Sequence, residues 1–265
     1  MTSTTYQFDN DTRQLTPLQA VLDPYTIRDL DTVGVWAGQR VLDVGAGAGS
    51  VARHLAKRVG PTGTVIAVDI DTRLLDPTDV IDVYECDLRR GGLDLPIEPG
   101  SVDLVHARCV LEHLGNRVDL LPALIALLRP GGWLVLGEIV YSRALIHRAP
   151  TANDEELIAR VWHAILDTLH SGGTDLEWGN HVHGHLLDAG LTHVYSHTRA
   201  DTWTGGGPGC QLLADNARQL HDRLLAADTG MNEADLRRFG ELMADPTLAL
   251  RGYQYTSTIA QQPGP

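Results

Sequence analysis

The sequence predicts a doubly wound α/β fold on a mostly parallel sheet, and three observations predict it. The first is the run VLDVGAGAGS, Val41 to Ser50, where an aliphatic strand opens into alternating glycines and then the helical pattern VARHLAKRV. The second is the return of that rhythm: Thr64 to Asp69, Val80 to Tyr84 and Val102 to Val105 read as further strands, and Leu128 to Glu138 as a turn and a fifth strand. The third is size. At 265 residues and 43% hydrophobic content, the chain can bury the core of one full α/β domain with appended elements.

Taken in order, Thr12 to Leu22 and Pro24 to Asp31 read as two short helices, with Pro24 in a first-turn position. Val33 to Gly38 leads to the first strand, in which Val41, Leu42 and Val44 surround Asp43 as a buried parallel strand would. Gly45, Gly47 and Gly49 permit turn conformations closed to other residues and let a ligand lie against the main chain. The helix that follows offers unpaired N–H groups at its positive end, so the first βα turn reads as a nucleotide or nucleoside site. The βα alternation then runs to Glu138.

A break covers Tyr141 to Asn153. Asp154 to His170 follows as an amphipathic helix with Leu157, Val161, Ile165 and Leu169 on one face, ended by Ser171-Gly-Gly173. His181 to Ala189 is a further helix stopped by Gly190, and Thr192 to His197 a strand. Gly205 to Gly209 reads as a flexible loop, with helices near Gln211–Ala226 and Asn232–Ala244. Arg251 to Ala260 alternates as a final strand would.

Charge and composition narrow the partners. A net charge of −13 argues against a nucleic-acid polyanion, which demands a basic footprint. Cys86, Cys109 and Cys210 lie far apart, so neither a zinc site nor a disulfide framework is indicated. The polar start MTSTTYQFDND lacks a signal pattern, and no apolar stretch approaches the roughly 18 residues of a membrane span. The expectation is a soluble, reduced, cytoplasmic protein, monomeric or homodimeric, with a small-molecule substrate and neither nucleic acid nor membrane as partner. One lysine, Lys57, among 21 Lys and Arg hints at a GC-rich genome.

The glycine spacing selects among nucleotide ligands. In the dinucleotide fingerprint G-x-G-x-x-G/A the last position falls at Ser50, while Gly49 comes one residue early. Asp43, two residues before the first glycine, would repel a pyrophosphate but suits a ligand with an ammonium group. The stretch resembles the first motif, acid-x-Gly-x-Gly-x-Gly, of the class I S-adenosylmethionine-dependent methyltransferases. The resemblance extends to the acid Asp69 ending the second strand, to Glu85-Cys86-Asp87-Leu88, to ARCVLEHL (Ala107 to Leu114) and to LRPGGWLVLGE (Leu128 to Glu138). It covers Arg40 to Glu138 well and Trp178 to Thr198 more loosely.

That resemblance implies a Rossmann-like, seven-stranded, mostly parallel sheet, with S-adenosyl-L-methionine as cofactor. It implies a single domain over 1–265: an N-terminal helical segment (1–38), a cofactor-binding core (39–140), and lid or substrate insertions (141–177 and 200–250). Asp43 and the backbone of Gly45, Ala46, Gly47 and Gly49 would hold the methionine part. Asp69 would take the ribose hydroxyls, Ile70 and Leu88 the adenine faces, and Asp87 the adenine amine. Ala107 and Arg108 would flank the methionine end, and Tyr6, with Phe8 nearby, would cover the cofactor from the N-terminal segment.

The methyl-transfer step itself needs orientation and sometimes a base. His113, one turn past the fourth strand, is the candidate base, with Glu138 and Tyr141 next. The acceptor is expected to be an oxygen of a small secondary metabolite. HVHGH, His181 to His185, places His181 and His185 at i and i+4, a metal-pair spacing within reach of Glu177 or Asp188, but a solvated or lid-facing helix is the expectation and no metal is assigned. Two other functions fit less well. One is the same fold repurposed for cyclisation or rearrangement. The other is a nicotinamide-dependent oxidoreductase, disfavoured by Asp43 and by the lack of a Tyr-x-x-x-Lys pair.

Overall fold

Val41 and Leu42 are neighbours in sequence whose side chains join opposite apolar layers of one sheet. The computed structural model describes residues 12–90, 93–226 and 230–264. In chain order the elements are α1 (Thr12–Val33), β1 (Arg40–Val44), α2 (Ser50–Val59), β2 (Thr64–Asp69), β3 (Ile81–Glu85), β4 (Val102–Arg108), α3 (Arg117–Leu127), β5 (Leu128–Val140) and β6 (Leu145–Arg148). Then come α4 (Ala152–Ser171), α5 (Trp178–Asp188), β7 (Thr192–Arg199), β8 (Thr202–Thr204), α6 (Pro208–Gln219), α7 (His221–Ala226), α8 (Glu233–Ala244), β9 (Ala249–Arg251) and β10 (Gln254–Gln261). The chain divides into two units: a sheet unit of residues 22–139, 177–198 and 255–264, and a helical unit of 12–21, 140–176 and 199–254.

The sheet unit carries seven strands in the order β3-β2-β1-β4-β5-β10-β7. The pairs β1–β2, β1–β4, β2–β3 and β4–β5 are all parallel. β10 runs against its neighbours: Ser196 meets Thr258 while Thr198 meets Thr256, and Gly131 meets Gln262 while Gly137 meets Tyr255. The strand order reverses direction at β1/β4, where open α/β sheets bind ligands. The predicted doubly wound, mostly parallel sheet is therefore present.

The period of two along the strands builds both layers. Leu42, Val44, Ile66 and Val68 pack with Leu120 and Leu124 of α3 and with Trp178, Val182 and Leu186 of α5. Val41, Val65, Ala67 and Leu104 pack instead with Leu30 of α1 and with Val51, Leu55 and Val59 of α2. Strands buried on both faces read as continuous apolar runs, which is why 41–44 shows no polar alternation.

The helical unit contains α4, α6, α7, α8 and an antiparallel sheet in the order β6-β9-β8. Leu157, Val161, Ile165 and Leu169 of α4 are buried, as their spacing predicts. The N-cap Thr151 accepts from the Asp154 N–H, and Arg238 of α8 grips the Asp154 carboxylate at 2.9 and 3.1 Å. Tyr253 gathers Tyr141, Trp162 and Trp203, with ring centroids 5.3, 5.1 and 5.6 Å away.

Four local expectations are corrected. The two short N-terminal helices are one, α1, running through Pro24 to a left-handed Gly34 whose N–H bonds the Leu30 carbonyl. A mid-helix proline removes one hydrogen bond, and the helix continues beyond it with Leu30 packed in the core. Gly205–Gly209 is no loose loop: Gly205, Gly206 and Gly207 donate to Leu248, Met243 and Thr204, and α6 starts at Pro208. The single final strand is divided, since Gly252 passes against the Trp203 ring and donates to the Asp201 carbonyl between β9 and β10. Residues 145–148, read as part of a break, pair with β9.

Candidate active site

β1 and β4 lie side by side with Asp43 opposite His106. Both side chains are buried, and His106 Nδ1 sits 2.7 Å from Asp43 Oδ1. A carboxylate only accepts, so the imidazole donates. Asp43 Oδ2 and His106 Nε2 are buried without a hydrogen-bond partner among the described residues. A buried carboxylate oxygen without a donor is costly, and a ligand ammonium would satisfy it.

The loop after β1 carries three left-handed glycines, Gly45, Gly47 and Gly49, at φ 68°, 57° and 74°. Gly45 and Ala46 donate to the Val68 carbonyl at 2.7 and 3.0 Å, which pins the loop over the end of β2. A Cβ at Gly45 would overlap Val110 Cγ2, so the backbone passes too close for any side chain. Asp69, at the end of β2, accepts from Gly47 N–H at 2.8 Å and Asp71 N–H at 3.1 Å, tying the first loop to the second. Ile70 follows half-buried.

Asp87 lies past β3, gripped by Arg89 at 2.7 and 2.9 Å and by Arg90 at 3.3 Å. The Arg89 hydrogen bonds hold its carboxyl below the usual range. Leu88 is buried in the core layer shared with Tyr84 and Cys86. Ala107 is buried near the end of β4, and Arg108 donates to Asp23 Oδ1 at 2.8 Å and Thr26 Oγ1 at 3.1 Å on α1. Asp23 also accepts from Ser50, the first residue of α2, at 3.0 Å.

Past β4 the chain turns sharply at Cys109, held at φ 53°, a costly region for a non-glycine. A 3-10 turn then spans Leu111–His113. Glu112 and Glu138 are fully buried and bracket this turn reciprocally. Glu138 accepts from Leu111 N–H at 3.2 Å and Glu112 N–H at 3.3 Å, while Glu112 accepts from Ile139 N–H at 2.6 Å. Burial and the adjacent Glu112 carboxyl push Glu138 well above the ordinary carboxylate range. His113 Nε2 lies 3.3 Å from Glu112 Oε1, and burial with the Arg117 charge pushes the imidazole down to about 4. It is neutral at pH 7, as an acceptor of protons must be.

The structure therefore brings Asp43, Gly45, Ala46, Gly47, Gly49, Asp69 and Ile70 together along the ends of β1 and β2. Glu138 is a bracket within the fold, and Tyr141 packs in the aromatic cluster of the helical unit. Tyr6 and Phe8 lie outside the described residues. Two of the HVHGH histidines have separate occupations: His183 bonds Ser196 at 2.8 Å, and the His185 ring lies tilted against Trp178 with centroids 5.1 Å apart. Their helix packs on the sheet through Trp178, Val182 and Leu186. No group of three or more metal-ligating side chains occurs among the described residues. Sequence reading passed over His106, although a histidine inside the apolar run of Val102, Leu104, Val105 and Ala107 was a visible anomaly.

Residues 42–136 match the family described as Methyltransferase domain. Over 121 residues the chain is 36% identical to Methyltransferase str3 of Strobilurus tenacellus, covering 42% of this chain and 40% of that protein. Over 117 residues it is 34% identical to the ubiquinone/menaquinone biosynthesis C-methyltransferase UbiE of Laribacter hongkongensis, covering 41% of this chain and 46% of that protein. The matches thus span less than half the length of these curated relatives.

A Haemonchus contortus phosphoethanolamine N-methyltransferase, solved with phosphomonomethylethanolamine and S-adenosylhomocysteine, shares the fold at TM-score 0.54 and 16% identity, over 91% of this chain and 52% of that one. The YcgJ protein of Bacillus subtilis does so at TM-score 0.52 and 14% identity, over 90% and 97%. The 42–136 segment thus matches a methyltransferase domain, on a fold shared with a solved methyltransferase.

Proposed function

We propose that the whole protein is an S-adenosylmethionine-dependent methyltransferase that methylates an oxygen of a small-molecule acceptor. One observation carries the cofactor reading: the buried Asp43 carboxylate, with one oxygen tied to His106 and the other unpartnered, at the base of the three-glycine loop. The free oxygen fits the ammonium of the methionine part, and the loop's bare backbone fits a ligand lying against it.

Asp69, which already accepts from the Gly47 and Asp71 N–H groups, would also accept from the ribose hydroxyls. Ile70 and Leu88 would pack the adenine faces, and Asp87, kept ionised by Arg89, would accept from the adenine amine. Ala107 and Arg108 would border the methionine end. The bound cofactor supplies a sulfonium methyl for in-line displacement. The chain's own task is to align the acceptor and receive its proton.

His113 is assigned that proton. An oxygen that has begun to bond carbon is far more acidic than imidazolium, so a neutral imidazole titrating at about 4 is basic enough to take it. A carbon acceptor is the second reading, supported by the similarity to a C-methyltransferase.

Titration with S-adenosylmethionine, followed by turnover on a panel of phenolic and quinol acceptors, tests the reading. Micromolar binding and one S-adenosylhomocysteine per methylated product are expected. Tight NAD binding with no response to S-adenosylhomocysteine would refute it.

A further inference from the structure

Across the middle of the sheet, four residues stand in one row: Ala67, Asp43, His106 and Val135, each paired with the next on adjacent strands. All four are buried, and they sit on the face that Val41 and Leu104 share with α1 and α2. The row has an apolar residue at each end and a polar pair at its centre. Within it, Asp43 has one neighbour able to donate a hydrogen bond, and that neighbour is His106 at 2.7 Å.

Burying an imidazole and a carboxylate in an otherwise apolar layer is unfavourable unless each gains a partner. Here each gains half of one. Nδ1 and Oδ1 satisfy each other, and Oδ2 is left over. Such an arrangement stops the carboxylate from rotating, because turning about its terminal torsion would break the charge-assisted bond. The unpartnered oxygen is thereby held in one place, one residue before Val44 and two before the first loop glycine.

We propose that His106 is a positioning residue for the cofactor: its Nδ1–H locks the Asp43 carboxylate so that Oδ2 is presented to the α-ammonium group of S-adenosylmethionine. The proposal rests on the methyltransferase reading above. Preorganisation of this kind affects ligands in proportion to how much they use the carboxylate, so its signature is selectivity for the amine rather than general affinity.

The experiment measures affinity of the full chain for S-adenosylhomocysteine and for its analogue lacking the α-amino group, by calorimetry, in wild type and three variants. In H106L the ratio of the two affinities should fall by about tenfold or more, the scale of a lost hydrogen bond to a charged group. In H106N the amide nitrogen takes the place of Nδ1, and the ratio should stay within about threefold of wild type. In H106Q the amide reaches the Nε2 position instead, and the ratio should fall as in H106L. Should H106L fail to fold, the contrast between Asn and Gln decides.

Equal weakening of both ligands in H106L and H106Q, or no weakening, overturns the positioning role while leaving the methyltransferase reading intact. A wild-type protein that binds neither ligand, or does not prefer the amine, overturns both.

Discussion

Glu138→Gln should invert its effect on stability as pH rises. In the native state Glu138 is fully buried beside Glu112 and holds its proton far above the ordinary value of 4.5. In the unfolded chain it ionises near that ordinary value. Above it, the native state binds the extra proton, so wild-type stability falls as pH rises toward the native titration point, by at most about 1.4 kcal/mol per pH unit for one proton.

Glutamine cannot ionise and so removes this slope. It keeps an oxygen for the Leu111 N–H and points an amide N–H where the acid points its O–H, toward Glu112. It gives up one acceptor, the 3.3 Å bond from Glu112 N–H, at a cost of about 1 kcal/mol. E138Q should then be about 1 kcal/mol less stable than wild type well below pH 4.5, should equal it within about one pH unit above that value, and should be the more stable protein at higher pH. Urea denaturation followed by circular dichroism, from about pH 3.5 to about pH 8 at fixed ionic strength, measures the difference directly. A difference that does not change with pH would show that Glu138 titrates normally and would refute the buried-acid account.

Three further outcomes are expected. Asp69→Ala should weaken S-adenosylhomocysteine binding by about 1–3 kcal/mol in calorimetry, because it leaves ribose hydroxyls and the Gly47 N–H unpaired. Gly45→Ala should cost about 2–4 kcal/mol of stability in urea titration, since φ 68° disfavours a side chain and its Cβ would overlap Val110. His113→Ala should lower kcat by about 10²–10⁴-fold with cofactor affinity nearly intact, and the wild-type kcat should stay flat with falling pH until about 4, where the imidazole protonates; a drop under about tenfold would assign the proton to water instead.

The glycine loop, the acids at the strand ends and the α4 stripe were legible because each is a local demand. A left-handed turn needs glycine at its own position, and a strand buried on both faces needs aliphatic residues along its own length. The fold class followed, since five such runs in order leave few topologies. What remained hidden is what joins distant residues. Pro24 reads as a helix start in isolation, yet α1 runs straight through it.

The small sheet of β6, β9 and β8 draws on segments too short for any periodicity to register. Asp43 and His106 are 63 positions apart, and Glu112 finds the backbone around Glu138 across 26 or 27. Single residues of ordinary type at such separations carry no local signal; their meaning arises only when parallel pairing sets one strand's register against the next. The sequence by itself determined which backbone shapes and apolar faces the chain forms. Tertiary structure alone decided which buried acids lie side by side or gain an imidazole, because desolvation and hydrogen bonding act between neighbours in space.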